Sequence, residues 1–253
     1  MINRKIKRIE KKMNQITTKE LLIKIFTPTL LLSIAYLLLG NFGKLPHILL
    51  FCILATIILV PVELGMIMSA SKKEYGTWSL KSAFAGQEKM LIWKVILIAG
   101  VFFGVAGLLS AVVAPIENHM WVNVRTTVLS HLPIGFDWNN YEYLQSFSRP
   151  VLLFTCIYYG IFNVLIGPIT EELFFRGYLT SHYKKQSMAT PILIAVLFSL
   201  YHFWLPFNNV FRILAFAPVA FVAYKKKNIY ISIFFHCLCN FFSVIGFVIA
   251  VLG

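Results

Sequence analysis

Apolar residues fall along this chain in long uninterrupted blocks, without the alternation of a half-buried strand. LLLSIAYLLLG, ILLFCILATIILV, VILIAGVFFGVAGLLSAVVA and FFSVIGFVIAVLG are the clearest of them. Blocks of this length are solvated by lipid, where each backbone N–H and C=O must be satisfied within the structure that spans it. Without period-2 alternation a closed barrel is excluded and helices remain. Seven spans are expected, over residues 22–40, 47–70, 91–114, 150–179, 190–204, 212–224 and 229–252. The fifth and sixth are short for a crossing and the sixth contains Pro218, so tilt or a place inside the bundle is expected of them. The fold class is therefore all-α, a polytopic transmembrane helical bundle. A basic N-terminal segment (1–20) precedes transmembrane helices with one long outer connection (21–149). A C-terminal core (150–253) collects the intramembrane polar residues.

Composition agrees with this pattern: 58% of the 253 residues are hydrophobic and 13% charged, more apolar surface than a soluble domain of that length hides. The net charge of +13 changes the picture only through its placement. Seven of the 23 Lys and Arg stand in the first twenty residues and most others at segment ends. That is the mark of cation retention on the cytoplasmic side and of attraction to anionic lipid, so the bilayer is the expected partner and nucleic acid is not. With the N-terminus cytoplasmic, 19 of the 23 lie inside, leaving Lys44, Arg125, Arg149 and Arg212 outside, in accord with an odd number of spans. The first apolar block has no small-residue cleavage site behind it and is expected to stay as a helix. The outer connection over 115–149, with Trp121, Trp138 and Tyr141, is expected to be partly structured or interfacial. Cys52, Cys156, Cys237 and Cys239 lie in apolar stretches and read as small hydrophobes, with no disulfide framework. His47, His119, His131 and His182 read as ordinary surface or interface residues.

A charge inside a membrane costs about 2.5–3.5 kcal/mol on insertion scales, so each one needs a reason. Glu171, Glu172 and Arg176 stand in PITEELFFRGYL, His202 in FSLYHFW, and His236 in IFFHCLCN with Asn240 four residues on. At ~1.5 Å per residue the two glutamates lie ~12–14 Å from the inner end of their helix, His202 ~18 Å, His236 ~12 Å and Asn240 ~18 Å, one slab between the inner boundary and the midplane. Glu172 and Arg176 are i, i+4 and can neutralise each other, whereas Glu171 points about 100° away. Left without that partner, Glu171 reads as a base toward water. His236 and Asn240 share a helix face, and either can donate to an oxyanion forming on a peptide carbonyl. His202 can orient the same water or share a metal. Glu63, in ILVPVELGM, is a further intramembrane acid expected either in a supporting shell of this site or paired at the interface.

Taken in order, Glu171-Glu172-Leu-Phe-Phe-Arg176, Phe198-Ser-Leu-Tyr-His202 and His236-Cys-Leu-Cys-Asn240 form the elements E-E-x-x-x-R, F-x-x-x-H and H-x-x-x-N, each on its own apolar segment. The chain thereby resembles the CAAX protease and bacteriocin-processing (CPBP) family of intramembrane endopeptidases, the Abi or Rce1-like group, over roughly residues 150–245. The resemblance implies that Glu171 is catalytic, that Glu172 and Arg176 support it, and that His202 works with Glu171 on the attacking water. It assigns His236 and Asn240 to the oxyanion side or to a metal. Glu171, His202 and His236 would make a His₂Glu set of the kind catalytic zinc uses, as in a metalloprotease. A metal-free glutamate–histidine mechanism uses the same three, and the sequence leaves both open.

The expected activity is hydrolysis of a peptide bond in a membrane-associated or secreted-peptide substrate, at a multi-pass protein of a bacterial cell membrane. The rival within the same fold is a catalytically silent scaffold or a bacteriocin self-immunity protein. A proton-relaying transporter is the rival outside it, and the inverted repeats that would favour it are lacking.

Overall fold

A computed structural model of the chain describes residues 15–40 and 44–253. The basic segment expected over 1–20 thus falls, up to residue 14, outside the described residues. Among the described residues seven principal helices form the bundle: α1 (Thr18–Gly40), α2 (His47–Tyr75), α3 (Ile92–Ser130), α4 (Arg149–His182), α5 (Thr190–Leu200), α6 (Asn209–Lys225) and α7 (Tyr230–Leu252). All except α5 belong to segments long and apolar enough to cross a membrane, the sixth including the turn Pro206–Asn208 that leads into α6. Among the described residues there is no strand, only an isolated bridge between Ile16 and Tyr183. There the Ile16 amide donates to the His182 carbonyl (2.7 Å) and the Lys184 amide to the Ile16 carbonyl (2.9 Å), tying the start of α1 to the end of α4.

The connections gather at two ends. At one, the Glu88 amide meets the Lys227 carbonyl (2.6 Å), Gln87 accepts from the Ile229 amide (2.7 Å), and Tyr224 reaches Gln186 (3.2 Å). These are the lysine-rich connections, so the cation asymmetry of the sequence is also an asymmetry of the bundle. At the other end, Trp138 donates to the Tyr36 hydroxyl (2.8 Å), His47 meets Tyr143 (3.1 Å) and Gln145 donates to the Ala250 carbonyl (3.1 Å).

Two helices widen into π turns just before a proline. In α2 the turn Ala55–Leu59 precedes Pro61, and in α4 the turn Phe162–Ile166 precedes Pro168. Proline lacks an N–H and its ring crowds the carbonyl four residues back, and an extra residue in the turn relieves that clash without breaking the helix. A third π turn, Leu173–Leu179, has no proline. It packs on the short turn Lys81–Phe84, so closely that a Cβ on Gly177 would lie 2.5 Å from the Ala83 carbonyl oxygen. The core centres on this half of α4: Phe174, Phe175, Phe198, Tyr201 and Phe235 are fully enclosed.

The structure departs from the sequence reading at two boundaries and at two histidines. The third span does not end near 114: α3 runs on for 39 residues to Ser130, about 58 Å against a hydrocarbon core of about 30 Å. Hydropathy falls after Pro115 because the sequence turns polar, but polar residues continue a helix as well as apolar ones do. The fifth span stops at Leu200 and not 204, because Pro206 disfavours helical geometry at Leu205, whose φ and ψ are −136° and 61°. His47 and His182 are not surface residues but buried ones, 5% and 1% exposed. His182 bonds Glu74 (2.9 Å), whose other oxygen accepts from Ser82 (2.7 Å). His119 and His131 are exposed, as expected.

Candidate functional site

The acids and histidines expected to act together come from three helices and the turn after α5. Glu171 and Glu172 sit one turn beyond Pro168 in α4, Glu63 just beyond Pro61 in α2, and His236 one and a half turns into α7. Glu171 is 8% exposed and Glu63 and Glu172 are fully buried.

His202 is not inside α5 as expected but just past Tyr201, the residue that caps its C-terminus. A helix end leaves carbonyls without partners, and His202 supplies one: its Nδ1 lies 2.8 Å from the Phe198 carbonyl oxygen. Arg212 supplies more, donating to the carbonyls of Ser199 (3.1 Å) and Leu205 (3.3 Å) on either side of the turn. Arg212, read from sequence as an outer cation, is therefore a buried clamp on the turn that carries His202. Glu117 acts from α3, accepting from the amides of Val210 and Phe211 (2.8 Å each) at the start of α6, where the helix dipole favours a negative charge.

Around Glu171 the geometry is nearly symmetrical. His202 Nε2 lies 3.9 Å from one carboxylate oxygen and His236 Nε2 lies 3.8 Å from the other. His236 Nδ1 faces Glu172 at 3.0 Å. In both rings Nδ1 therefore meets an oxygen that only accepts and must carry the proton, which leaves each neutral ring a lone pair at Nε2 directed to Glu171. Glu172 also pairs with Arg176 (3.2 Å), as the i, i+4 spacing predicted. The guanidinium stacks on Phe198, 4.1 Å from the ring centre, with Phe216 at 5.5 Å. Asn240 spends one N–H on the Asn163 carbonyl (2.8 Å) in the π turn of α4 and keeps a second. Glu63 joins the group through Tyr201, whose hydroxyl is 2.9 Å from Glu63 and 3.5 Å from Glu171.

Six of these side chains line a cavity of about 600 Å³. Glu63, Glu171, His202, Arg212, His236 and Asn240 face it; the rest of its wall is mostly apolar and aromatic, from α2, α3, α4, α6 and α7. A mostly apolar chamber with a few convergent polar groups is the usual form of a ligand site.

The His₂Glu set does not close around a metal. Adjacent ligand atoms of a tetrahedral zinc shell stand about 3.3 Å apart, less than the separations here. No group of three or more His, Cys, Asp and Glu among the described residues is arranged to hold a metal ion. What the arrangement can do by itself is hold a water between a carboxylate and imidazole lone pairs.

Every motif residue is thus brought to one place. The sequence reading missed Tyr201, Arg212 and Glu117. Tyr201 could have been suspected from its position beside His202. Glu117 gave no signal, since the amides it accepts from are more than ninety residues away.

Comparison with curated proteins and with solved structures gives no match. Residues 153–242 match a family model, type II CAAX prenyl endopeptidase Rce1-like, and that segment holds Glu171, Glu172, Arg176, His202, His236 and Asn240. This multi-pass membrane protein therefore holds a segment, from α4 into α7, that is similar to the Rce1-like family.

Proposed function

We propose that the chain is an intramembrane endopeptidase in which Glu171 and His202 activate a water for attack on a peptide carbonyl. The observation that carries this reading is the pair of imidazole Nε2 atoms set against the two oxygens of Glu171, 3.9 and 3.8 Å away. A water donating to Glu171 and to His202 at about 2.8 Å each would span the 3.9 Å gap with an angle of about 90°, near its own H–O–H angle. As its oxygen attacks, one proton passes to Glu171 and the other hydrogen bond, to His202, keeps the lone pair aimed at the carbonyl.

The forming oxyanion needs donors. Asn240 offers its second N–H. His236 offers Nε2–H when it carries a second proton, a form that Glu172 stabilises from the Nδ1 side as a buried carboxylate steadies an imidazolium. Arg176 and its stacked rings hold Glu172 in that place. Glu171 then returns its proton to the leaving amine, so that the water adds across the peptide bond and the base is regenerated. The mostly apolar chamber strengthens each of these contacts by excluding bulk water.

In this reading the N-terminus is cytoplasmic, the site lies in the inner half of a bacterial cell membrane, and the substrate is a membrane-associated or secreted peptide. Glu171→Ala, His202→Ala and His236→Ala should each abolish cleavage while leaving the protein folded in the membrane. Full cleavage by all three would end the protease reading and favour a scaffold. Cleavage by purified protein should persist with a strong chelator present, and loss restored by zinc would put a metal in the mechanism.

A further inference from the structure

Glu63 is a carboxyl group buried in the centre of an apolar helix, and the mechanism above leaves it without a task. Its burial is complete. Its only hydrogen bond among the described residues is the one from Tyr201, 2.9 Å to Oε1; Oε2 has none. Tyr201 is equally enclosed, walled by Phe175, Phe198 and Trp204 with ring centres 5.0, 6.3 and 5.4 Å away. A phenol has one proton and two acceptor lone pairs. The shorter contact is to Glu63 and the longer, 3.5 Å, to Glu171 Oε1. Tyr201 Oη therefore turns its proton to Glu63 and its lone pairs to Glu171.

We infer that Glu63 is a positioning residue that acts through Tyr201 on Glu171. By holding the phenol proton, Glu63 keeps Tyr201 from donating to Glu171 and makes it an acceptor there. Before the reaction an ionised Glu171 gains nothing from Tyr201 and stays free to take a proton from water. Once Glu171 Oε1 has taken it, the new O–H donates to Tyr201 and the 3.5 Å contact tightens into a hydrogen bond. The pair thus favours the proton-loaded form of Glu171, on the path to the tetrahedral intermediate, over the resting carboxylate. The balance is simple: one water O–H bond breaks, one Glu171 O–H bond forms, and no further reactant is needed. A purely structural Glu63 would need only to fill space, and a leucine would do that at far lower cost in an apolar helix.

The inference rests on the protease reading, and the test separates the two. The full-length protein in detergent micelles is assayed on fluorogenic casein, with Glu171→Ala setting the floor. Glu63→Leu and Tyr201→Phe should each lower kcat by about 10- to 100-fold with KM within about twofold, the loss expected for one hydrogen bond to a charged or charging group. The double variant should be no slower than either single one, since both remove the same interaction. Glu63→Gln keeps an acceptor for the phenol proton and should return kcat to within about threefold of wild type. Thermal unfolding of each variant separates lost rate from lost fold, and Glu63→Gln and Tyr201→Phe change shape least. Wild-type kcat in Glu63→Leu or Tyr201→Phe, or Glu63→Gln as slow as Glu63→Leu, overturns the inference and leaves the protease reading standing. A wild type no faster than Glu171→Ala ends both.

Discussion

Replacing Arg176 by methionine tests how the site is held. Arg176 is 6% exposed, 3.2 Å from Glu172 and stacked at 4.1 Å on Phe198, and among the described residues its guanidinium makes no hydrogen bond beyond the ion pair. Methionine matches most of its length and keeps the aromatic contacts, so the loss is mainly electrostatic. Removing one partner of a buried pair costs about 3–5 kcal/mol, because the other charge is left uncompensated. The stacked rings contribute up to about 2 kcal/mol within that range and not on top of it, since they hold the same charge. Against a typical total of about 5–15 kcal/mol the loss is large. Glu172 would keep the Nδ1–H of His236 but lose its cation, so cleavage should fall as well. The assay is denaturant-induced unfolding in micelles, comparing Arg176→Met, Glu172→Leu and the double variant. The double variant should be more stable than Arg176→Met alone, because a buried pair replaced by apolar groups leaves no stranded charge. An Arg176→Met protein within about 1 kcal/mol of wild type would refute the reasoning. So would a double variant whose loss equals the sum of the single losses.

Other parts of the fold carry their own expectations. Gly177→Ala should destabilise by about 1–3 kcal/mol, the cost of overpacking, since its Cβ would meet the Ala83 carbonyl oxygen at 2.5 Å; unchanged unfolding would show that the turn Lys81–Phe84 yields freely. Glu117→Leu should strip two backbone amides of α6 of their acceptor, lowering stability by about 1–3 kcal/mol in the same unfolding assay, whereas Glu117→Gln, which keeps one acceptor, should lose less.

The chemistry-bearing residues were legible in the sequence because a membrane makes them conspicuous. A glutamate or histidine in an apolar helix is costly, so Glu171, Glu172, His202 and His236 stood out by type and position alone. Helical spacing also paired Glu172 with Arg176, as the ion pair bears out, and turned Glu171 toward other partners, the two histidines. The order of the apolar helices followed from the length of the apolar runs, though among the described residues six of the seven expected spans are long and apolar enough to cross a membrane and α5 is not.

Tertiary structure decided the rest. Sequence placed His202 within a helix, but Pro206 ends α5 and the orphaned carbonyl of Phe198 takes the imidazole proton, which is what turns Nε2 to Glu171. Arg212 read as an outer cation and Glu117 gave no signal, because their partners are backbone groups, which carry no mark in the sequence. Glu63 was visible as a buried acid, yet its link to Glu171 runs through the hydroxyl of Tyr201, a residue ordinary in any aromatic core. The cost of a charge in lipid is local and can be read along the chain. The direction in which a lone pair or a single proton points depends on which helix lies opposite, and only the packed bundle determines that.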